Sequence, residues 1–251
     1  KENSKLSKIV PSYQLLINKN LYKEYKFTKN KKLGDVYLTK QNPYGSSDKI
    51  KKFIKEYDLS NSLYNINNKY ETKLDKTLSE KLNVDKDNIV FFKTELDALR
   101  KIITIFTTKY SNIFCIYPNN EYIEVLSNEL KLGLKFTTYK VVDKSIQPDY
   151  SHIINNINAK TKIIYLASPN LLTGQSIKEK EFEEFLNKIP DNIIIIINQS
   201  MVDFVDGNNQ SYLNPLKYLN KNVLVIRNFS NFYGFENLEL SYVVASKDIA
   251  K

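Results

Sequence analysis

Short runs of β-branched and aliphatic residues recur along most of this chain and limit what it can fold into more than any other feature. The clearest run is Ile193–Ile197, because five consecutive apolar residues suit a strand that is covered on both faces. Stretches with helical apolar spacing lie between most of the runs. This alternation predicts an α/β protein with a mostly parallel sheet and helices on both of its faces, a three-layer α/β/α fold.

The runs predict a seven-stranded sheet. The expected strands are Asn88–Phe92, Asn112–Tyr117, Lys135–Val141, Lys162–Ala167, Ile193–Ile197, Val223–Ile226 and Leu240–Val244. The expected helices are Ser47–Tyr57, Lys73–Leu82, Leu96–Thr108, Glu124–Leu132, Tyr150–Ile157 and Glu179–Asn187.

The length and composition are those of a globular domain. A chain of 251 residues with 42% apolar and 26% charged residues can bury a substantial core. It has no apolar run near the roughly 18 residues that a membrane span needs. A single cysteine, Cys115, excludes an internal disulfide and fits the cytoplasm or another reducing compartment. Because the sequence begins at Lys1 rather than methionine, an organellar targeting segment stays open.

The positive charge is concentrated at the start of the chain. Residues 1–55 carry 14 lysines and 4 acidic residues, a net charge of +10, whereas the whole chain carries +9. We therefore expect residues 1–35 to form a basic arm ahead of the main domain. Such an arm could contact nucleic acid or another anionic surface. Only two of the basic residues are arginines, and no known nucleic-acid-binding motif accompanies them, so a solvated lysine-rich segment is the simpler interpretation.

Several short motifs occur in a fixed order along the chain. They are Asn42-Pro43-Tyr44-Gly45, Asn68-Lys69-Tyr70, Ser168-Pro169-Asn170-Leu171-Leu172-Thr173-Gly174, Asn198–Phe204 and the stretch NVLVIRNFSNFYGFENLELSYVVA at Asn222–Ala245. Together they resemble motifs of the class I and II aminotransferases of fold type I, which depend on pyridoxal phosphate (PLP), and of the histidinol-phosphate aminotransferase group in particular. The resemblance implies that residues 36–251 are the large domain of that family. It also implies that the C-terminal small domain, which carries the arginine for the substrate carboxylate, is missing from this chain.

The resemblance also implies which positions would contact PLP, and three decisive ones differ here. Asn231 stands where the family has the lysine that forms the Schiff base. Asn198 stands in place of the aspartate that keeps the pyridine nitrogen protonated and makes the ring an electron sink. Glu239 stands in place of an arginine that binds the phosphate, which exchanges an attraction for a repulsion.

Four further positions of the implied cofactor site differ as well. By the same register, Glu95 replaces a phosphate-binding serine, and a carboxylate at a helix N-terminus occupies an anion site from within the chain. Asn120 replaces the aromatic residue that stacks on the ring, although Tyr122 is close enough in sequence to take its place. Leu171 and Met201 replace the two residues that contact the phenolic oxygen.

Only two implied positions keep the residue of the family, namely Ser230 and Tyr70. In the family, the tyrosine crosses the dimer interface and reaches the partner's cofactor phosphate. The residues that shape the backbone thus persist while those that touch the ligand do not. We therefore predict an aminotransferase-like pseudoenzyme with no catalytic residue and no PLP. We expect a structural or interaction role with a protein partner, as a homodimer or in a larger complex.

Two alternatives stay open. The chain could be a working PLP-dependent aminotransferase of the histidinol-phosphate type, acting on an amino acid or amino-phosphate, with Lys93 as the one candidate for the missing amine. It could instead bind anions or nucleic acid through the basic arm. The only histidine, His152, has no partner at ligand spacing and is expected at the surface, so we predict no metal site.

Overall fold

The computed structural model describes residues 45–57, 69–119, 121–142, 145–205, 212–235 and 239–251. The expected basic arm, residues 1–35, lies outside these ranges. The strands are β1 Ile89–Phe92, β2 Asn112–Tyr117, β3 Gly133–Val142, β4 Ser145–Pro148, β5 Thr161–Ala167, β6 Ile194–Asn198, β7 Val223–Asn228 and β8 Ser241–Val244. The helices are α1 Asp48–Glu56, α2 Lys69–Leu82, α3 Glu95–Phe106, α4 Tyr122–Glu129, α5 Tyr150–Asn156, α6 Glu179–Leu186 and α7 Lys247–Ala250.

The described strands form one sheet in the order β1-β8-β7-β6-β5-β2-β3-β4. Neighbours from β7 through β3 are parallel, while β8 is antiparallel to both β1 and β7 and β4 is antiparallel to β3. Two reversals bring β1 back to the direction of β7. The carboxyl ends of β1 and of all the parallel strands therefore lie at the same edge of the sheet.

The core consists of two apolar layers, one on each face of the sheet. Along β5, Ile164 and Leu166 pack in the layer covered by α2, α5 and α6, while Ile163 and Tyr165 pack in the layer covered by α3 and α4. Strands β6 and β7 alternate in the same way, and almost all of their residues are buried. This two-sided burial explains the continuous apolar runs and confirms the predicted three-layer α/β/α fold.

The prediction of seven strands was wrong, because the described sheet has eight. The additional strand, β4, is four residues long and ends in Pro148. It pairs only with β3 at the sheet edge, where a proline is tolerated because one side of the strand needs no hydrogen bonds. A segment this short shows no readable alternation of apolar and polar residues. None of the helices in the described ranges combines the length and apolar character needed to cross a membrane.

Candidate functional site

The positions that the sequence singled out come together at the carboxyl edge of the sheet. Each lies at the end of a strand, in the loop that follows a strand, or just before the start of β8. The described residues of this set are Glu95, Leu171, Asn198, Met201, Ser230, Asn231 and Glu239. In open α/β sheets this edge is where ligands bind. Asn120 lies outside the described residues. Tyr70 belongs to α2, but its side chain is not among those described.

A hydrogen-bonded chain of three side chains crosses this edge. Asn198 is 3% exposed at the end of β6. Its amide nitrogen donates to Glu95 Oε1 at 2.5 Å and to the hydroxyl of Tyr165 at 2.8 Å. Its oxygen accepts from the backbone nitrogen of Ser200 at 2.8 Å. Both donors of the Asn198 amide are therefore used within the chain, and so is its acceptor.

Glu95 is held where it can make this bond by the start of α3. Thr94 is the N-cap, and its side chain accepts from the backbone nitrogen of Asp97 at 2.9 Å. Glu95 is thus the first helical residue, one position earlier than the sequence predicted. A carboxylate there is favoured by the positive end of the helix dipole.

Sequence analysis did not identify Tyr165 as part of the site. It is fully buried in β5, and burial, followed by the nearby charge of Glu95, raises its pKa well above the ordinary value. The phenol therefore stays neutral and supplies an oxygen that accepts from Asn198. The one available signal was a tyrosine inside the apolar second half of β5.

Three carboxylates lie near Tyr122 at this edge. Burial raises the pKa of Tyr122, and the charges of Glu95, Glu121 and Glu239 raise it further. Glu239 itself is exposed and has a left-handed backbone, with φ of 38°. Carboxylates from three separate segments thus act on one phenol.

The loop after β7 carries Asn231, which is 8% exposed. Its side-chain nitrogen donates to the backbone oxygen of Ser200 and contacts Met201 Sδ, both at 3.4 Å. The backbone nitrogens of Ser230 and Asn231 both donate to Asn228 Oδ1, at 3.1 and 3.2 Å. The structure therefore brings together Asn231 and Met201, which the sequence had named separately.

Gly45, the described residue of the first motif, and its neighbour Ser46 lie against Gly234 beside this loop. Ser46 Oγ donates to the backbone oxygen of Gly234 at 2.7 Å. A Cβ at Gly234 would lie 2.7 Å from Ser46 N and 2.8 Å from Gly45 C, and Gly234 has a φ of 71°. Only glycine combines a low-energy positive φ with the absence of a Cβ, which explains why position 234 is a glycine.

The turn after β5 is organised by Asn170. Its Oδ1 accepts from the backbone nitrogens of Leu172 and Thr173, and its Nδ2 donates to the backbone oxygen of Pro118 at 2.8 Å. Leu171 is exposed beside it. Asn170 thus sets the shape of this turn without any contribution from the side chain at position 171.

Two other predicted positions lie on the surface. Lys93 is exposed just before the N-cap of α3, and His152 is exposed on α5 with its ring 6.1 Å from that of Phe114. The described residues contain no group of three or more histidine, cysteine or acidic side chains placed to hold a metal ion.

Comparison with known proteins identifies the family of the chain. The sequence profile described as "Aminotransferase class I and II" matches residues 37–251. The chain belongs to the class I and II aminotransferase family. The family resemblance drawn from the motifs is confirmed.

Curated relatives of this aminotransferase-family chain include two histidinol-phosphate aminotransferases. The protein of Caldicellulosiruptor saccharolyticus is 29% identical over 211 residues, which cover 83% of this chain and 57% of that relative. Histidinol-phosphate aminotransferase 2 of Hydrogenovibrio crunogenus is also 29% identical, over 83% of this chain and 54% of the relative. The chain thus spans a little over half the length of these relatives.

Solved structures of the aminotransferase family share the fold. Histidinol-phosphate aminotransferase of Sinorhizobium meliloti, in complex with pyridoxal-5'-phosphate, matches with a TM-score of 0.73 at 15% identity, over 84% of this chain and 56% of the other. The enzyme of Clostridium acetobutylicum matches with a TM-score of 0.70 at 20% identity, over 84% and 61%.

Proposed function

We propose that this chain is an aminotransferase-family domain that does not hold PLP and acts through protein–protein contacts. The observation that carries the proposal is the hydrogen bond from Asn198 to Glu95. It joins two positions at which the family resemblance places cofactor contacts, so the side chains satisfy one another.

The amide of Asn198 does not suit a pyridine nitrogen in this setting. Both of its N–H groups are engaged, by Glu95 and by Tyr165, and its oxygen accepts from Ser200. A ring nitrogen would have to displace one of these bonds in a buried site, where an unsatisfied group costs about 1–3 kcal/mol. An amide also lacks the charge that would stabilise a pyridinium.

The carboxylates near Tyr122 oppose the phosphate of PLP. Glu95, Glu121 and Glu239 all lie close enough to Tyr122 to raise its pKa. A phosphate monoester carries between one and two negative charges at neutral pH. Its approach to these carboxylates is repulsive, and the helix N-terminus that would attract it already has Glu95 as its first residue.

No amine replaces the Schiff-base lysine among the site residues described above. Asn231 cannot form an imine, and its side chain is turned toward Ser200 and Met201. Lys93 is exposed and precedes α3, at the end where the family geometry puts the phosphate. We therefore propose that covalent PLP chemistry is absent.

A contact role is supported by the apolar side chains exposed at the same edge of the sheet. Leu171 and Leu172 follow β5, Phe204 follows β6 and Phe232 follows β7. Phe204 and Phe232 pack edge to face, with ring centroids 5.1 Å apart. Neighbouring exposed apolar residues of this kind mark protein interaction sites more often than solvent-facing surface. We propose a protein partner here, either a second copy or another subunit.

The test is a PLP titration of the purified chain, followed by borohydride reduction and mass spectrometry. We expect no saturable imine absorbance and no stoichiometric phosphopyridoxyl group at any one lysine, at PLP concentrations that saturate the Caldicellulosiruptor saccharolyticus relative in the same assay. Scattered partial labelling of exposed lysines, which free PLP gives in any lysine-rich protein, does not count as a site. The single variant Asn231→Lys should also fail, because the Glu95–Asn198 bond and the carboxylates near Tyr122 remain. A variant that combines Glu95→Ser, Asn198→Asp, Asn231→Lys and Glu239→Arg should gain imine absorbance.

A stoichiometric borohydride-trapped adduct at one lysine of the unmodified chain would overturn the proposal. Mass mapping would then say whether Lys93 or another lysine supplies the amine, and the chain would be treated as an active PLP enzyme.

A further inference from the structure

A second feature lies at the opposite edge of the sheet, where β2, β3 and β5 begin. An open groove of about 650 Å³ is lined there by Tyr110, Asn112, Lys131, Lys135 and Lys160, with Gly133 in its floor. The residues come from three successive connections, each of which leads from a helix into a parallel strand. The seven residues of β5 separate this edge from the Asn198 site by roughly 20 Å.

The groove is positively charged without local compensation. Its described lining contains Lys131, Lys135 and Lys160 and no acidic residue. In the part of the chain that the structure describes, none of these three lysines forms an ion pair. Elsewhere lysines such as Lys140 and Lys217 do have a carboxylate partner, at 3.1 and 2.5 Å. Lys135 Nζ donates to the backbone oxygen of Asn156 at 3.4 Å, a bond that leaves its positive charge in place. Three ammonium groups without a carboxylate partner around one groove attract an anion.

An aromatic side chain stands at the margin of the groove. Tyr110 is 65% exposed, and Lys109 Nζ lies 4.9 Å from the centroid of its ring. Its backbone is left-handed, with φ of 74°, which is costly for a bulky side chain. The strained backbone at Tyr110 keeps its ring at the surface instead of in the nearby core. We therefore expect the exposed ring to stack on a ligand.

The floor of the groove is shaped by Asn112 and Gly133, which are paired residues of β2 and β3. A Cβ added to Gly133 would collide with Asn112 Oδ1. The glycine thus lets the asparagine side chain lie across the strand, and it presents a polar amide between the lysines and the tyrosine.

We propose that this groove binds single-stranded nucleic acid. Proteins that bind single strands without sequence preference combine a basic groove for the phosphates with aromatic rings on which bases stack. The lysines and Tyr110 supply these two elements on one surface. A duplex keeps its bases stacked inside the helix, so none of them is free to stack on Tyr110. An anionic membrane surface would contact the lysines but would not need the tyrosine ring.

The experiment measures fluorescence anisotropy of a fluorescein-labelled 12-nucleotide oligothymidylate, as DNA and as the uridylate RNA, over a series of salt concentrations. The triple variant Lys131→Gln, Lys135→Gln, Lys160→Gln should bind about tenfold or more weakly and lose about 2 from the slope of log affinity against log salt. The matched control removes the same charge at exposed lysines elsewhere, as Lys86→Gln, Lys180→Gln, Lys188→Gln, and should retain most of the affinity.

Stacking is tested separately. Tyr110→Ala should weaken binding about fivefold or more, whereas Tyr110→Phe, which keeps the ring, should bind as the unmodified chain does. Circular dichroism confirms that each variant is folded. Residues 1–35 are present in every variant, so differences between the two triple variants report on the groove alone.

Three results would overturn the proposal. The first is no oligonucleotide binding at low salt, and the second is equal loss in the groove and control variants. The third is lysine-dependent binding to vesicles containing phosphatidylglycerol without any effect of Tyr110→Ala on oligonucleotide binding.

Discussion

At the scale of single residues, Glu95 and Asn198 depend on each other. An asparagine amide can donate to a carboxylate 2.5 Å away, whereas the aspartate that the family resemblance implies at this position could not. Two unprotonated carboxylates at that distance repel strongly in a partly buried site. A chain that has Glu95 in this place therefore needs an uncharged donor at position 198.

This dependence predicts the behaviour of Asn198→Asp. The two carboxyl groups would have to share a proton, so the pKa of one of them rises in the folded state. A raised folded-state pKa means that stability is kept at low pH and lost as pH rises through that value. Urea unfolding should show a loss of about 2–4 kcal/mol at pH 8, and a much smaller loss at pH 5.

The matched control for this prediction is the double variant Glu95→Gln, Asn198→Asp, which exchanges the amide and the carboxylate. It should recover most of the stability at pH 8, because an N–H donor again faces an anion. The idea fails if the single variant is as stable at pH 8 as the unmodified chain.

The residue scale also shows what the sequence can and cannot reveal. The motifs identified Glu95 and Asn198 one by one, because each replaces a residue of known role in the resemblance. Their bond joins residues 103 positions apart, and it depends on β1 and β6 ending at the same edge. Strand direction of that kind is a property of the assembled sheet, so neither the bond nor the contribution of Tyr165 could be predicted.

At the scale of elements, the apolar runs were enough to locate seven of the eight described strands, since two-sided burial requires continuous apolar residues. The sequence did not predict edge strand β4, because it is short and pairs with only one other strand. Helix starts were less exact. Because Thr94 is the N-cap, α3 begins at Glu95 rather than at the predicted Leu96. This capping bond positions Glu95 for its hydrogen bond with Asn198.

The turn after β7 gives a prediction with an internal control. Gly234 and Gly174 have nearly the same positive φ, 71° and 68°, but only Gly234 has backbone atoms within 3 Å of an added Cβ. Gly174→Ala should cost about 1 kcal/mol from the left-handed conformation alone. Gly234→Ala should cost about 3 kcal/mol, because displacement of residues 45 and 46 adds to that strain.

Chemical denaturation of the two glycine variants measures this difference directly. Equal losses would show that the contact between residues 45–46 and the turn contributes nothing to stability in solution. A larger loss for Gly174→Ala would contradict the described packing of the turn.

At the scale of the whole molecule, the two edges of the sheet have different surfaces. The carboxyl edge combines acidic groups with exposed apolar side chains, and the amino edge of β2, β3 and β5 presents a tyrosine and three lysines that form no ion pair with a described residue. The shared fold accounts for the first location, since loops at the carboxyl ends of parallel strands are where such proteins place their sites. We propose that protein contacts use the first edge and nucleic acid the second, so that both can be bound at once.

The protein contact leads to the last prediction. Leu172 is 62% exposed after β5, and Phe204 is exposed after β6. If a second copy covers this edge, sedimentation velocity should show a dimer at micromolar concentration. The variant Leu172→Asp, Phe204→Asp should then sediment as a monomer, because a charge in an apolar contact is not compensated.

Ile105→Asp is the matched control. This residue is 59% exposed near the far end of α3, so its substitution should leave the dimer intact. An unmodified chain that sediments as a monomer at every concentration would contradict the homodimer, and dissociation by Ile105→Asp would place the contact on another surface.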